Sequence, residues 1–311
     1  MTTIDQLIEN MRVESPYLVI NATKGTTGNN QAYMTITLQD KTGTIEGKKW
    51  DARPSDDEIF AIGNIVNIEA DVLNYRGSMQ LKILSGTIVD ASIVDITQFT
   101  ISSPIPQSEL ENRLQQLLSS FSDKDISLIV NTLIKKHYEQ FLTYPAAVRN
   151  HHEFTNGLLY HTLSMAELGE RIANFYPQIN RDLLIGGILL HDLGKTIELS
   201  GPIIPKYTTE GRLIGHISMA ASEIQNVASE LEITSEVPTL LAHMVLAHHG
   251  KLEFGSPVLP EIREALVLSM IDDLDAKMMM LDKAFNGIND GEWTPRLWAL
   301  NDSYFYLPKK R

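Results

Sequence analysis

The 311-residue chain contains no cysteine. Disulfides and thiolate metal sites are therefore excluded, and a bound metal must rest on His, Asp or Glu. No apolar run is long enough to span a bilayer, and the first residues lack the basic-then-apolar pattern of a secretory signal. The expectation is a cytoplasmic protein with no membrane partner. Basic residues are in deficit, with 26 Lys and Arg against 39 Asp and Glu, a net charge of −13. Residues 1–90 hold 8 basic and 12 acidic side chains, a net of −4, and the remainder carries −9. This balance argues against a general nucleic-acid coat that binds by neutralising phosphates. It does not exclude a processing enzyme with a local groove and bound cations. Internal repeats and low-complexity segments are also missing. What remains is an ordinary globular composition, 43% hydrophobic and 21% charged, long enough for two domains.

Residues from about 15 to 90 read as short strands. Val66 to Val72 alternates apolar and polar residues, and Leu81-Lys82-Ile83 repeats the pattern after a turn at Arg76-Gly77-Ser78. Tyr33 to Leu38 leads through the turn Asp40–Gly43 into Thr44–Trp50, which makes a hairpin. Short strands punctuated by glycine point to a small barrel. The run Asp40 to Trp50 resembles the central hairpin of an OB-fold. A linker-like stretch with Pro104 and Pro106 follows, and Ser108 is placed to cap a helix. Beyond it the apolar spacing is helical. His161, Met165, Leu168 and Ile172 are separated by 4, 3 and 4 residues and share one face. Leu183 to Leu190 reads as a buried helix, with Gly194 as its stop. The predicted fold class is α+β in two domains: a β-barrel over 1–90, a linker over 91–110 and an all-α domain over 111–311.

Histidines and aspartates recur through the helical part. They are His161, His191-Asp192 with Gly194-Lys195 beyond, His216, His248-His249 and Asp272. A lone histidine on an apolar helix is usually a core residue. Imidazoles and carboxylates converging from several helices are instead what metal-assisted phosphoester hydrolysis needs. His161, His191, Asp192 and Asp272 supply four ligands for one ion. Asp192 has two oxygens and can bridge to a second ion completed by His216 and the His248-His249 pair. Adjacent histidines in a regular helix point about 100° apart, so spacing alone supports only one of that pair. His243 lies about 140° from His248 and is left out. His137, His151 and His152 fall outside the pattern, as surface or structural residues. Lys195 reads either as a charge at a helix C-terminus or as a catalytic cation against a substrate phosphate. Arg212 reads equally as a phosphate contact or an ordinary surface arginine.

The order His, His-Asp, His, His-His, Asp resembles the HD-domain metal phosphohydrolase superfamily. Three stretches resemble more closely the YhaM-type 3′→5′ exoribonucleases of Gram-positive bacteria. They are Gly157-Leu-Leu-Tyr-His161-Thr-Leu-Ser, Gly211-Arg-Leu-Ile-Gly-His216-Ile, and Ala247-His-His-Gly250 with Gly255-Ser-Pro257. The last is followed by Ile271-Asp-Asp-Leu-Asp-Ala-Lys277. In the superfamily the liganding aspartate is followed by x-Leu-x-Ala, which selects Asp272 and leaves Asp273 and Asp275 facing solvent or backing the ligands. The resemblance implies that both His248 and His249 are ligands. It also implies Mn²⁺ as the activating ion, two ions per site, and release of nucleoside 5′-monophosphates from the 3′ end of single-stranded RNA by a metal-bound hydroxide.

For the barrel, the expected nucleic-acid contacts are the aromatics Trp50, Tyr33 and Tyr75 with the cations Lys48, Lys49 and Arg76. Trp50 is equally readable as barrel core. Two other functions share parts of this pattern. A phosphohydrolase of dNTPs or cyclic nucleotides would have the same metal site but no use for the barrel. A binding scaffold would have no need of a complete ligand set. The sequence leaves single-stranded DNA as a second substrate, and homo-oligomerisation, open.

Overall fold

The computed structural model describes residues 1–75, 77–90, 94–101, 103–146 and 154–309. Arg76, His151 and His152, part of the expected linker, and the last two residues, Lys310 and Arg311, lie outside the described residues. The chain divides into two compact units, Met1–Ser102 and Ser103–Arg311.

The first unit is a closed five-stranded barrel with neighbours in the order β1-β2-β3-β5-β4. Its strands are β1 (Arg12–Thr26), β2 (Ala32–Asp40), β3 (Gly43–Trp50), β4 (Ile65–Tyr75) and β5 (Ser78–Val89). β3 and β5 run parallel, and the other neighbours run antiparallel. The expected alternation holds in β4, where Val66, Ile68, Ala70 and Val72 all point into the core. The barrel narrows where two glycines remove side chains. A Cβ on Gly47 would lie 2.6 Å from Ile83 Cδ1, and one on Gly86 would lie 2.7 Å from Phe60 Cζ. A short helix, α1 (Pro54–Ile59), joins β3 to β4. Its six residues are too few for a helical period, which is why alternation alone did not reveal it. Residues beyond β5 remain on this unit: Phe99 is buried, and its carbonyl accepts from Gln39 Nε2 at 3.0 Å.

The second unit is helical. It comprises α2 (Gln107–Ser119), α3 (Lys124–Lys136), α4 (Tyr138–Thr143), α5 (Gly157–Phe175), α6 (Arg181–Leu190), α7 (Lys195–Glu198), α8 (Thr209–Ile214), α9 (His216–Glu230), α10 (Val237–Ala247) and α11 (Arg263–Phe285). Every residue of α6 from Asp182 to Leu190 is buried, as its continuous apolar run requires. α6 is the central helix and packs against α3, α5, α10 and α11. Two expectations about helix ends need correction. Ser108 does not cap α2; Pro106 occupies the cap, and its fixed φ of −57° starts the helix without a side-chain hydrogen bond. Gly194 does not end a helix in the left-handed region. Its φ is −59° and it immediately precedes α7. No helix among the described residues is long and apolar enough to cross a membrane.

One buried carboxylate ties the barrel's first residues to its central hairpin. Asp40 accepts from the Ile4 backbone N–H at 2.7 Å, the Thr42 N–H at 2.7 Å and the Thr42 hydroxyl at 2.6 Å. Asp40→Ala leaves these donors without their acceptor and should destabilise the barrel by about 1–3 kcal/mol. We expect the barrel's melting transition to fall while the helical unit's stays in place. An unchanged barrel transition in calorimetry would contradict this role.

Candidate metal centre

Each member of the histidine–aspartate set is placed by a helix end or an inward helix face. His161 sits on the inner face of α5. His191 and Asp192 follow the last turn of α6. His216 is the first residue of α9, and His248 and His249 follow α10. Asp272 lies midway along α11. His161, His191, Asp192 and His248 are buried almost completely, with exposures of 1, 0, 3 and 1%.

Asp192 is the centre. Its Oδ2 lies 3.3 Å from His191 Nε2, 3.9 Å from His161 Nε2 and 2.7 Å from Lys195 Nζ. Its Oδ1 lies 3.5 Å from His216 Nε2 and 3.8 Å from His248 Nε2. One carboxylate thus presents one oxygen to each of two histidine groups. Ligand atoms of His161, His191 and Asp192 lie within 4.8 Å of one another, as do those of His216, His248 and His249. Asp272 Oδ1 joins the first trio at 3.2 Å from His161 Nε2. Helix α10 ends at Ala247, and Gly250 turns the chain with φ +73°. That departure from helical geometry lets both adjacent histidines face the same point, their rings 4.2 Å apart.

All five imidazoles are oriented from behind. His191 Nδ1 donates to the Ile188 carbonyl, His248 Nδ1 to the Val245 carbonyl and His249 Nδ1 to the Phe254 carbonyl, at 2.7, 2.7 and 2.8 Å. His161 Nδ1 donates to Asp275 at 2.7 Å, and His216 Nδ1 to Glu198 at 3.1 Å. A carbonyl can only accept, so the proton sits on Nδ1 and the Nε2 lone pair faces the centre. This is the second layer that metal-binding histidines require. Asp275 is fixed in turn by the Ser164 hydroxyl. The sequence had allowed Asp275 to back the ligands; Glu198 went unnoticed, because a glutamate three residues past a lysine carries no spacing signal.

The chain makes room for this packing at two glycines. A Cβ on Gly194 would lie 2.1 Å from the His216 carbonyl oxygen, and one on Gly211 would lie 2.4 Å from the Glu198 carbonyl oxygen. Gly194 is therefore a close-approach residue that lets His216 reach Asp192. Gly215, with φ +78°, breaks the chain between α8 and α9. Arg212 is exposed on α8, on the far side of that break, and its side chain has no hydrogen bond or ion pair among the described residues. Lys195 is at the start of α7, so the reading as a charge at a helix C-terminus does not apply. The other histidines stand apart. His137 bridges Glu223 and Thr196 at 3.3 and 3.1 Å, and His243 Nε2 accepts from the Glu261 N–H at 3.0 Å.

Electrostatics fit a cation. Burial works against ionising Asp192, yet Lys195, His191 and His216 together hold its carboxyl well below the usual range. Asp272 is likewise held down: burial opposes its charge, but the hydrogen bond with His161 and the nearby His191, His161 and His248 together outweigh it. Burial disfavours charge on His161 too, but Asp272 and Asp275 lift it to about 9. His248 is pushed down by burial, then by its neighbours His191 and His249. His191 Nε2, His216 Nε2, His248 Nε2 and Asp192 Oδ1 are buried with no hydrogen-bond partner among the described residues. Each such atom costs about 1–3 kcal/mol if left unpaired. Four converging orphans on imidazole and carboxylate are what a divalent ion would satisfy.

On the barrel, Trp50 is 45% exposed and so lies on the surface, which decides between its two readings. It is the cross-strand partner of Tyr33, with ring centroids 5.3 Å apart. Tyr33 lies flat because its partner on β1 is Gly25, where a Cβ would come within 2.5 Å of the ring. Lys48 Nζ sits 5.5 Å from the Tyr33 ring centroid and also binds Thr35 and Glu46. Lys49 reaches back to the Trp50 carbonyl, and Tyr75 is exposed at the end of β4.

This metal-ligand architecture is that of an HD-domain protein, and residues 158–277 match the HD domain family. The chain is 44% identical over 298 residues to the 3′-5′ exoribonuclease YhaM of Geobacillus sp. (strain WCH70), covering 96% of this chain and 92% of that protein. It is also 44% identical to the 3′-5′ exoribonuclease YhaM of Bacillus subtilis (strain 168), covering 96% and 95%. The chain belongs to the YhaM family. Among solved structures, the second OB-fold domain of replication protein A from Methanococcus maripaludis is 18% identical, covers 30% of this chain and 97% of its own, and has a TM-score of 0.25. That score is too low to carry weight, and the barrel is defined by its own strand pairing.

Glu198→Gln keeps the shape but weakens the hold on His216. Metal affinity should fall about 10–100-fold, the usual cost of losing a group that orients a metal-bound histidine. Equilibrium dialysis with elemental analysis reads this directly, and unchanged affinity would remove Glu198 from the site.

Proposed function

We propose that this chain is a metal-dependent 3′→5′ exoribonuclease that hydrolyses single-stranded RNA to nucleoside 5′-monophosphates. The observation that supports the reading is the single buried carboxylate of Asp192, shared between two histidine groups in which, among the described residues, the Nε2 atoms of His191, His216 and His248 have no hydrogen-bond partner. Membership of the YhaM family supplies the substrate class and the direction.

The assignment of roles follows. His161, His191, Asp192 and Asp272 hold one divalent ion. Asp192, His216, His248 and His249 hold a second. Divalent ions in this position activate water and stabilise charge on the leaving oxygen. Mn²⁺ is the proposed ion, since a histidine-rich set suits it better than hard Mg²⁺ or Ca²⁺. Asp275, Glu198 and three backbone carbonyls hold the imidazoles in place and aim their Nε2 atoms at the centre. Lys195, held on Asp192 at 2.7 Å, is the residue that exchanges that partner for a substrate phosphate. Arg212 is the second phosphate contact. The barrel unit Met1–Ser102 is the nucleic-acid-binding module and the helical unit Ser103–Arg311 the hydrolase; the linker expected over 91–110 is divided between them, Phe99 bonding to Gln39 of the barrel and Leu110 lying in the helical core. In that module Trp50, Tyr33 and Tyr75 stack bases while Lys48, Lys49 and Arg76 follow the backbone. The protein acts in the cytoplasm.

Asp192→Ala should abolish turnover, and a chelator should do the same to the wild type, with Mn²⁺ restoring activity better than Mg²⁺. Circular dichroism must show that the variant folds; normal turnover by folded Asp192→Ala protein would sink the assignment. A 3′-labelled oligoribonucleotide should release labelled mononucleotide at once, while a 5′-labelled one yields a ladder of shortening products. Early internal fragments would refute exonucleolytic action, and faster hydrolysis of dNTPs or cyclic nucleotides would favour a small-nucleotide phosphohydrolase.

Because Trp50 is a surface ring, Trp50→Ala should leave the melting temperature unchanged. A stacked base is worth roughly 1–3 kcal/mol, so affinity for RNA long enough to reach the barrel should fall about tenfold. Early melting with unchanged affinity would show that the ring serves the fold instead.

A further inference from the structure

Helix α7 is a single turn that carries two groups of the metal centre: Lys195, whose Nζ lies 2.7 Å from Asp192 Oδ2, and Glu198, which accepts from His216 Nδ1 at 3.1 Å. One turn has little stability of its own, because its first hydrogen bond must fix several residues at once. Where α7 points is therefore decided by what its side chains bind. Thr196, between the two site groups, is buried. Its hydroxyl lies 2.7 Å from the Leu193 carbonyl and 3.1 Å from His137 Nδ1. Among the described residues, His137 is the one side chain outside the centre that an α7 side chain binds. His137 stands at the joint between α3 and α4, where its own carbonyl accepts from the Phe141 N–H at 2.8 Å. Its Nε2 lies 3.3 Å from Glu223 Oε2. Glu223 is on α9, two turns or about 10 Å past His216. Lys136 donates to the same carboxylate oxygen at 2.7 Å. The His137 and Glu223 side chains are only 12 and 18% exposed, so water competes little for the bond between them.

The chemistry of each partner fixes which atom donates. Burial opposes charge on Glu223, but Lys136 and His137 together hold its carboxyl below the usual range. A carboxylate only accepts, so His137 Nε2 carries a proton. The Thr196 hydroxyl both donates and accepts, so it pairs with Nδ1 whether or not that nitrogen is protonated. Thr196, His137 and Glu223 thus tie α7 to α9. Both ends of the link fall on elements that carry site groups, Lys195 and Glu198 at one end and His216 at the other. We propose that His137 is a positioning residue for Lys195. By clamping the α7 turn to α9 through Thr196 and Glu223, it fixes Lys195 relative to the side of the centre that holds His216. The inference rests on the proposed role of Lys195 as the cation that meets the substrate phosphate. A displacement of about 1 Å at a reacting group can cost about a hundredfold in rate, so a small rotation of this one turn is enough to matter.

The test is the single-turnover rate of the full-length, metal-loaded protein on a 3′-labelled oligoribonucleotide, together with amide hydrogen exchange over residues 195–198. His137→Ala should lower the rate at least about tenfold. Thr196→Val, which keeps the shape and removes the hydroxyl, should do the same and covers the case in which His137→Ala misfolds. Thr196→Ser, which keeps the hydroxyl, should recover most of the rate. Both slow variants should exchange the α7 amides faster than the wild type while those of α5 keep their protection. A double-mutant cycle separates positioning from general support. Lys195→Ala should itself cost about 100- to 1,000-fold, the usual loss for one charge-stabilising donor, and His137→Ala should then add nothing. Equal losses from His137→Ala with and without Lys195 would show a structural role and overturn the proposal. So would a folded His137→Ala protein with the wild-type rate, or Thr196→Ser as slow as Thr196→Val. If Lys195→Ala leaves the rate unchanged, the role of Lys195 falls and the proposal with it. If Lys195→Ala is slow and His137→Ala is not, the proposal alone falls.

Discussion

The helical unit is organised around one carboxylate that has no business being buried alone. Asp192 is 3% exposed, and removing an ion from water costs several kcal/mol unless charge of the opposite sign surrounds it. Lys195 supplies such a charge, and four imidazoles turn toward the carboxylate beside it. They come from α5, α6, α7, α9 and α10, so the compensation cannot form until those segments have packed. Fold and site are in this sense the same set of contacts.

That convergence sets demands on the backbone which the side chains alone would not reveal. His216 can approach Asp192 only because Gly194 presents no Cβ to its carbonyl, 2.1 Å from where one would stand. Glu198 can back His216 only because Gly211 leaves the same kind of space. His249 can share a target with His248 only because α10 stops one residue earlier and Gly250 takes up a positive φ. With His191 and Asp192 just past α6, five of the candidate ligands are thus set by helix ends instead of helix faces. Helix ends are where the backbone can aim adjacent residues in one direction.

The histidines and aspartates were legible because their residue types are rare and their order is distinctive. The groups behind them were not. Glu198 and Asp275 are acidic residues on helices, and most such residues face water. Only the three-dimensional pairing with His216 and His161 separates them from the rest. Carbonyl oxygens of Ile188, Val245 and Phe254 leave no mark in a sequence at all. In the barrel, alternation located β2 to β5, but it does not say whether a terminal residue such as Trp50 turns in or out. Its pairing with Tyr33 over Gly25 decides that. Gly194 was misread because glycine signals a turn and a close approach equally well, and only the φ of −59° tells them apart.

The acidity of the chain takes on a different meaning once its charges are located. On the barrel, Arg12 is paired with Glu69 and Asp71, Lys24 with Asp57, and Lys48 with Glu46. Cations so matched contribute little to holding a polyanion, which leaves the Tyr33–Trp50 pair and, among the described residues, Lys49 as groups of the proposed contact surface that no carboxylate neutralises. In the helical unit, the deeply buried carboxylate of Asp192 and the partly buried one of Asp272 sit where divalent ions would stand. Negative charge that would repel a phosphate in isolation becomes, with the ions in place, the means of gathering positive charge at that point. A net charge of −13 and an RNA substrate are therefore compatible if, as in the proposed function, binding rests on stacking at one site and on cations recruited by carboxylates at another.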